Sequence, residues 1–209
     1  MRTQHAGVLR GLDLIETTVG RTLERLQAGL AERLPHRLEA APPLLRAAVL
    51  IPLFVVAARV EVLFTRRTDT VLTHKGQISF PGGQREATDA SMVETALRES
   101  YEEIGLEVAR VTVLGELDDV FTSVSGFIVT PVVGMVEGPP ADLTLAPAEV
   151  KSVFTVPIDR LQAVHTTQVR QFDGHAYRIH YYTVADDVIW GATGLILHQF
   201  LASWERAAV

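Results

Sequence analysis

Three glutamates crowd into five consecutive residues near the middle of the chain, and this constrains the fold more than any other feature. Glu99, Glu102 and Glu103 occur within the run RESYEEIGL, residues 98–106. On an α-helix, side chains three and four residues apart point the same way, so the carboxylates converge. Like charges this close repel one another unless a cation lies between them. Mg²⁺ or Mn²⁺ is the expected cation, because such ions take carboxylate oxygens as ligands and keep other positions for water or substrate phosphate.

Clustered glutamates on a helix more often form a solvated face than a metal site, so the flanking residues matter. Ser91 with Glu94 is typical of a capping box at a helix start, and Gly105 is typical of a helix end. Gly82-Gly83 predicts a tight turn before the helix, where backbone N–H groups can hold phosphate. The inward side of the predicted helix is formed by Met92, Val93, Ala96, Leu97, Ser100 and Ile104.

The segment Gly83–Leu106 resembles the Nudix box, GX5EX7REUXEEXGU, in which U is a bulky aliphatic residue. The REXXEEXG core is complete. Three positions depart from the pattern: Asp89 replaces a glutamate, one extra residue separates Asp89 from Arg98, and Ser100 replaces an aliphatic residue. None of these changes removes a carboxylate of the central cluster.

The Nudix resemblance implies a role for each residue of the core. Glu99, Glu102 and Glu103 are expected to hold Mg²⁺ or Mn²⁺, and Arg98 is expected to orient them. Nudix enzymes draw their general base from different places, so two carboxylates stay open for that role. Glu102 is the first candidate, and Glu149 on a loop before a predicted strand is the second. From its position alone, Glu149 is equally a surface carboxylate.

The residues just upstream resemble LLTXR(S/A)X3RX3GX3FPGG, a signature that marks coenzyme A pyrophosphatases among Nudix enzymes. The matching residues are Leu63, Thr65, Arg67, Gly76 and Phe80–Gly83. Leu72 replaces the second arginine, and Lys75, His74 or Arg66 are its candidate substitutes. The resemblance implies hydrolysis of the diphosphate of CoA or acyl-CoA to 3′,5′-ADP and (acyl-)4′-phosphopantetheine.

The residues expected to bind substrate lie in the same stretch: Arg66, Arg67, Gln77, Phe80, Pro81, Gly82 and Gly83. Arginine can hold a phosphate through two N–H groups. Strand alternation, however, puts one of Arg66 and Arg67 on the outer face, where it serves solubility. The missing arginine at Leu72 motivates one alternative, a Nudix diphosphatase for another nucleoside diphosphate derivative such as ADP-ribose. A separate alternative is a non-catalytic CoA- or nucleotide-binding Nudix domain.

Strand and helix patterns flank the central segment on both sides. Strands are predicted over 47–56, 60–67, 108–117, 127–136, 148–157, 168–172 and 176–183, and helices over 7–34, 158–164 and 190–206. This mixed order predicts an α+β fold, and the Nudix resemblance makes it an α/β/α sandwich with a mixed central sheet and a catalytic loop–helix. Residues 1–45 are expected to be an N-terminal helical extension, and 46–209 the Nudix domain.

Two details of this pattern bear on the site. Pro52 predicts an interruption or bend in the first strand. The segment 118–126 predicts a polar loop over the site, in which Asp118 and Asp119 are interpreted as turn or cap residues.

Composition excludes several classes of function. The net charge of −6 argues against non-specific nucleic-acid binding. The absence of cysteine excludes disulfides, thiolate zinc sites and a cysteine nucleophile. No apolar run reaches the roughly 18 residues of a membrane span, and no signal-peptide pattern is present. We expect a cytoplasmic protein that acts on a small molecule, with a homodimer through the N-terminal helix left open.

Overall fold

One long strand, β1 (Leu45–Val56), lies at the centre of the fold. The computed structural model describes residues 18–40, 43–68, 77–122, 125–172 and 174–209. Alternate residues of β1 enter two hydrophobic cores, one on each face of the sheet. Ala47, Ile51 and Leu53 lie in one core, and Ala48, Leu50 and Phe54 lie in the other. Burial on both faces explains why the sequence of β1 is almost continuously apolar.

The other strands and the helices follow β1 in a mixed order. The strands are β2 Arg59–Arg67, β3 Ile78–Ser79, β4 Gly82–Gln84, β5 Val111–Glu116, β6 Val120–Thr122, β7 Phe127–Val136, β8 Val150–Pro157, β9 His165–Phe172, β10 His175–Val184 and β11 Asp187–Ile189. The helices are α1 Thr18–Glu32, α2 Met92–Ile104, α3 Ile158–Ala163 and α4 Gly191–Ala208.

The main sheet combines parallel and antiparallel pairs. β1 pairs in parallel with β7 and antiparallel with β2 and β4. β5 and β6 pair with β7, while β3 and β8 pair with β2. The strands β9, β10 and β11 form a separate antiparallel sheet. The predicted mixed sheet is confirmed.

Helices cover both faces of the main sheet, which confirms the α/β/α sandwich. The first face is covered by α2, whose Ala96 and Ile104 pack into one core. The opposite face is covered by α1, α3 and α4, which contribute residues such as Leu26, Leu161 and Phe200 to the other core. No helix among the described residues is long and apolar enough to cross a membrane.

Of the interruption or bend expected at Pro52, the interruption is wrong, because β1 runs through this residue. Pro52 lies between Val49, which pairs with β4, and Leu53, which pairs with β2. Proline has no N–H to donate to a strand ladder. It is tolerated here because β1 changes neighbours at this point.

The N-terminal helix packs into the domain core through Leu23, Leu26 and Leu30. The helix was predicted over 7–34, and residues 7–17 lie outside the described part of the chain. The described part of the helix ends at Glu32, and the chain then crosses to the main sheet.

Asp119 ties the segment after α1 to the sheet. Its carboxylate accepts hydrogen bonds from Arg37 Nη1 at 3.1 Å, Arg46 Nη1 at 3.0 Å, the Leu38 N–H at 3.0 Å and Thr130 Oγ1 at 2.7 Å. The expectation of a polar loop over the site at 118–126 is therefore corrected. The first residues of this segment anchor the N-terminal part of the chain, and β6 follows them.

Candidate functional site

The ends of α2 are set by the residues that the sequence singled out. Ser91 is the N-cap, and its hydroxyl accepts a hydrogen bond from the Glu94 N–H at 3.1 Å. The Glu94 carboxylate accepts from the Ala90 N–H at 2.7 Å, one residue before the partner of a standard capping box. Gly105 ends the helix in the left-handed conformation, with φ of +64°. Between these two ends, α2 directs Glu99 and Glu103 toward the Gly82-Gly83 turn.

The three carboxylates meet beside that turn at different depths. The Glu103 side chain is 6% exposed and accepts a hydrogen bond from the Gly82 N–H at 3.1 Å. The Glu99 side chain is 16% exposed, and that of Glu102 is 54% exposed. Exposure in the cluster therefore increases from Glu103, which is buried at the turn, to Glu102, which faces solvent.

Burial and mutual repulsion make the inner carboxylates hard to ionise. Burial raises the pKa of Glu103 to about 7, and the charges of Glu99 and Glu149 add to this effect. The Gly82 N–H and the Arg67 charge act in the opposite direction. Burial likewise raises the pKa of Glu99, against the hydrogen bond from Arg98. Such a cluster favours a bound cation.

The position of Arg98 is set by Asp89. Arg98 Nε and Nη2 each donate to the Asp89 carboxylate at 3.0 Å, and Nη2 also donates to the Gln84 carbonyl at 2.9 Å. The third nitrogen, Nη1, donates to Glu99 and Glu102 at 3.0 Å each. Arg98 therefore bridges the loop before α2 to the two outer carboxylates.

The two glycines of the turn are each approached closely, but by different groups. A Cβ on Gly82 would lie 2.3 Å from the Ala48 carbonyl oxygen, and the Gly82 φ is +153°. A Cβ on Gly83 would lie 2.5 Å from the Glu99 carboxylate. Gly82 thus lets β4 pack on β1, whereas Gly83 leaves room for the carboxylate.

The two arginines at the end of β2 face opposite ways. Arg67 faces the cluster, with Nη1 3.9 Å from Glu103 Oε1. Arg66 donates to Asp187 in the second sheet at 2.7 Å and lies over the Phe154 ring. The expectation that the outer arginine serves solubility is corrected, because Arg66 is held by Asp187. For the same reason its guanidinium does not join the carboxylate cluster.

The remaining predicted substrate residues divide by exposure. Phe80 is 3% exposed and stacks on Phe64 with ring centroids 5.1 Å apart. Pro81 is also buried, and its carbonyl accepts from the Leu50 N–H. These two side chains are buried beneath the turn, and their assignment as substrate contacts stays a prediction. Gln77 is exposed next to Arg67, whose N–H donates to the Gln77 carbonyl.

The signature residues from 69 to 76 are outside the described part of the chain. They include Leu72, His74, Lys75 and Gly76. His74 and Lys75, two of the suggested substitutes for the second arginine, therefore stay predictions, whereas the third, Arg66, is held by Asp187.

Glu149 lies just before β8, and its side chain is exposed. Its charge raises the pKa of both Glu99 and Glu103, so it faces the same site. Its backbone carbonyl accepts from the Thr68 N–H at 3.0 Å, which fixes the start of β8 next to the end of β2.

The donor set suits a hard divalent ion. Glu99, Glu102 and Glu103 offer only oxygen atoms, and burial, with a smaller contribution from neighbouring carboxylates, raises the pKa of both Glu99 and Glu103. Oxygen-only ligands with positions left for water and phosphate match Mg²⁺ and Mn²⁺. The residues present therefore fit the ions that the sequence predicts.

Comparison with protein families decides the identity of this site. The family model described as the NUDIX domain matches residues 44–178, which include the turn, α2 and Glu149. The chain belongs to the Nudix family. As a Nudix hydrolase, it acts on a diphosphate bond of a small-molecule substrate, and Nudix hydrolases generally use divalent ions such as Mg²⁺ or Mn²⁺.

Two curated relatives extend the similarity over most of the chain. A protein of Photorhabdus laumondii, named as the uncharacterized Nudix hydrolase NudL, is 38% identical over 156 residues, which cover 73% of this chain and 81% of the relative. Nudix hydrolase 3 of Caenorhabditis elegans is 35% identical over 170 residues, which cover 73% of this chain and 70% of the relative.

Solved structures support the fold. The MutT protein from Methanosarcina mazei superposes with a TM-score of 0.51 at 15% identity, covering 80% of this chain and 97% of that protein. A MutT/nudix family protein from Enterococcus faecalis gives a TM-score of 0.51 at 18% identity, covering 97% and 75%. At these identities the similarity concerns the Nudix fold alone.

Sequence reasoning missed what Asp89 does. The box pattern marked it as a departure, and the extra residue before Arg98 suggested only a changed entry to the helix. In the structure Asp89 is 5% exposed and also accepts from Thr95 Oγ1 and the Glu86 N–H, at 2.9 Å each. A buried aspartate in a polar run, with an arginine nine residues later, is too weak a signal to predict this contact.

Proposed function

We propose that this Nudix hydrolase cleaves the diphosphate of coenzyme A or acyl-CoA to 3′,5′-ADP and (acyl-)4′-phosphopantetheine. Glu99, Glu102 and Glu103 hold Mg²⁺ or Mn²⁺ in this proposal. The observation that carries it is the position of Arg67. Arg67 belongs to the CoA-type signature, and it is the arginine of β2 that faces the carboxylates.

The contacts of Arg67 leave it able to take a phosphate. Its Nη1 lies 3.9 Å from Glu103, which is longer than a hydrogen bond. Its Nε is buried and has no hydrogen-bond partner among the described residues. A buried donor without a partner costs roughly 1–3 kcal/mol. A phosphate oxygen beside the cluster would satisfy that donor and bring the diphosphate next to the three carboxylates.

Hydrolysis needs one water and one base. The water oxygen bonds to one phosphorus, the bridging oxygen leaves with the other phosphate, and the base takes the proton of the water. A bound divalent ion would supply positive charge to the phosphoryl oxygens and make the water more acidic.

Glu102 is the first candidate for the base, and two observations support it: it is the most exposed of the three carboxylates and it pairs with Arg98. Glu149 is the second candidate, since it faces the same site from β8.

A second substrate class has one observation in its favour. Leu72 stands where the CoA-type signature has an arginine. The protein therefore lacks the positively charged side chain that would bind the substrate at this position. A Nudix diphosphatase for another nucleoside diphosphate derivative, such as ADP-ribose, would not need it. A binding domain without turnover is less well supported, because all three carboxylates and their Arg98 brace are present.

A substrate panel separates these functions. The full chain is assayed with Mg²⁺ or Mn²⁺ against CoA, an acyl-CoA, ADP-ribose and a dinucleoside polyphosphate. We expect the highest kcat/KM with CoA or the acyl-CoA. A higher value with ADP-ribose or the dinucleotide would contradict the proposed substrate. Binding of CoA with no product would indicate the non-catalytic alternative.

The role of Arg67 has a matched control on the same strand. Arg67→Gln should lower kcat/KM for CoA by about 10–100-fold, because a charge-assisted contact to phosphate is lost. Arg59→Gln, at the other end of β2, removes an exposed arginine whose partner Asp159 is 3.8 Å away, and it should leave kcat/KM unchanged. Equal effects of the two substitutions would remove Arg67 from the site.

A further inference from the structure

Three histidines converge on the opposite face of the main sheet from α2. They are His165 at the start of β9, His180 on β10 and His198 on α4. One ring nitrogen from each lies within 4.8 Å of the others. The α4 helix packs into the core on the far side of β1 from α2, so this cluster is separate from Glu99, Glu102 and Glu103.

Regular secondary structure brings these histidines together. His165 is directly opposite Tyr182 in the β9–β10 ladder. His180 is two residues before Tyr182, so the two side chains share one face of the sheet. On α4, His198 and Glu205 are seven residues apart and lie on one side of the helix. The face of the second sheet and the side of α4 meet at the three imidazoles.

The rings are close enough to interact directly. His165 Nε2 and His180 Nδ1 are 2.9 Å apart. The His180 and His198 rings stack with centroids 3.9 Å apart and planes 18° apart. Burial, together with the charges of His198, His165 and Arg178, lowers the pKa of His180 to about 4. Neutral imidazoles are the form that binds metal ions.

Tyr182 gives an independent indication of a ligand at this place. Its side chain is fully buried and stacks on His165, with ring centroids 4.8 Å apart. Its hydroxyl has no hydrogen-bond partner among the described residues. Tyr182 lines a cavity of about 210 Å³ together with His165, His198 and Glu205. Two imidazoles, an unpartnered hydroxyl and a carboxylate around one cavity suit a bound cation.

We infer that His165, His180 and His198 form a binding site for one divalent transition-metal ion of the Zn²⁺ class. Imidazole nitrogens favour such ions over Mg²⁺. A tetrahedral zinc site, with Zn–N bonds near 2.0–2.1 Å, places its nitrogens about 3.3 Å apart. The 4.8 Å limit of the cluster needs modest side-chain rotations to reach this spacing. Glu205 lines the same cavity and supplies negative charge there.

This site would bind metal independently of the Nudix carboxylates, and it would join the second sheet to α4. The metal-stripped full chain is titrated with Co²⁺ in excess Mg²⁺, which occupies oxygen sites and does not compete for imidazole. We expect one equivalent of Co²⁺ to produce the strong visible absorption of a four-coordinate site with three imidazole ligands. Zn²⁺ should abolish that absorption and raise the melting temperature.

Variants assign the site to these residues. His198→Gln and His165→Gln should each weaken Co²⁺ binding by about tenfold or more, since metal-site partners typically contribute 10–100-fold in affinity. His36→Gln, which removes an exposed histidine elsewhere, and Glu102→Gln in the carboxylate cluster should bind Co²⁺ as the wild type does.

The proposal is overturned if wild-type protein shows no such absorption, or if both His198→Gln and His165→Gln keep it at unchanged affinity. Circular dichroism checks that each variant is folded. Should His198→Gln fail to fold, the wild-type spectrum and His165→Gln decide the matter. None of these readouts depends on enzyme activity, so the outcome is independent of the proposed substrate.

Discussion

Asp89 receives two hydrogen bonds from Arg98, both at 3.0 Å. These two bonds connect the loop after β4 to α2. The remaining nitrogen of Arg98 reaches Glu99 and Glu102. Asp89, a position at which the chain departs from the Nudix box, therefore positions Glu99 and Glu102 through Arg98.

We expect Asp89→Asn to destabilise the fold and to loosen the carboxylates. The substitution removes the buried partner of Arg98 and leaves it only the outer carboxylates of Glu99 and Glu102, so the cost should be up to about 3 kcal/mol. Activity should fall as well, because Arg98 no longer holds Glu99 and Glu102. Urea unfolding and kcat measure the two effects. Glu86→Gln is the matched control, since Glu86 is exposed and 4.0 Å from Arg98; a loss of stability as large in this variant would contradict the account.

The contribution of Asp89 should disappear in acid. The hydrogen bonds from Arg98 hold the pKa of Asp89 well below the ordinary value of 3.8, so the folded protein binds this proton more weakly than the unfolded chain. The stabilisation is thus fully present above pH 3.8 and is lost as the pH falls below it. The stability difference between wild type and Asp89→Asn should shrink below about pH 4. If the stability difference between wild type and Asp89→Asn grew in acid, it would contradict the lowered pKa of Asp89.

The two glycines of the turn should respond differently to alanine. In Gly83→Ala the new methyl meets the Glu99 carboxylate at 2.5 Å, a side chain that can move away. We expect kcat to fall by about tenfold or more with little change in melting temperature. In Gly82→Ala the methyl meets the Ala48 backbone at 2.3 Å, which cannot move without displacing β1, so this variant should lose stability. Full activity in Gly83→Ala would show that Glu99 does not need its position.

Some features of this site could be predicted from the sequence, because they depend on residues that are close together in the chain. Ser91 and Gly105 mark the ends of α2 by rules that act within one turn of helix. Alternation along β2 showed that Arg66 and Arg67 face opposite ways, but not which one faces the carboxylates. That depends on which neighbour covers each face, and the partner of Arg66, Asp187, lies 121 residues away.

The contacts that the sequence did not predict are non-local. Asp119 joins a strand of the sheet to the segment after α1. The three histidines come from two strands and a helix. The sequence around each one carries no signal of a metal site. Pro52 was misjudged because its tolerance depends on the change of neighbours along β1.

Glu103 should make the metal-free protein sensitive to alkaline pH. Burial raises its pKa from 4.5 to about 7, so its protonated form stabilises the fold below pH 4.5, and that stabilisation is lost as the pH rises through about 7. With a chelator at pH 8, Glu103→Gln should be more stable than wild type by on the order of 2–3 kcal/mol. At pH 4.5 the two should differ little. Thermal melts at both pH values test this.

Metal should reverse that difference. Mg²⁺ at pH 8 should stabilise wild type, because the ion compensates the buried carboxylate. The same addition should stabilise Glu103→Gln much less. Equal stabilisation of both proteins would place the metal away from Glu103.

The base is assigned by comparing Glu102→Gln with Glu149→Gln. Both side chains are exposed, so melting temperatures should not change. If Glu102 is the base, its substitution should lower kcat by about 10²–10⁴-fold, whereas Glu149→Gln should have a small effect. Saturating Mg²⁺ should not restore Glu102→Gln if the lost group is a base. The reverse pattern would assign the role to Glu149.

The most direct test of the proposed function is the mass of the products formed from coenzyme A. The full chain is incubated with CoA and Mg²⁺ or Mn²⁺, and the products are identified by mass spectrometry, with Glu102→Gln as the inactive control. We expect 3′,5′-ADP and 4′-phosphopantetheine in equal amounts from wild type alone. Intact CoA, in a preparation that cleaves ADP-ribose or a dinucleotide, would contradict it.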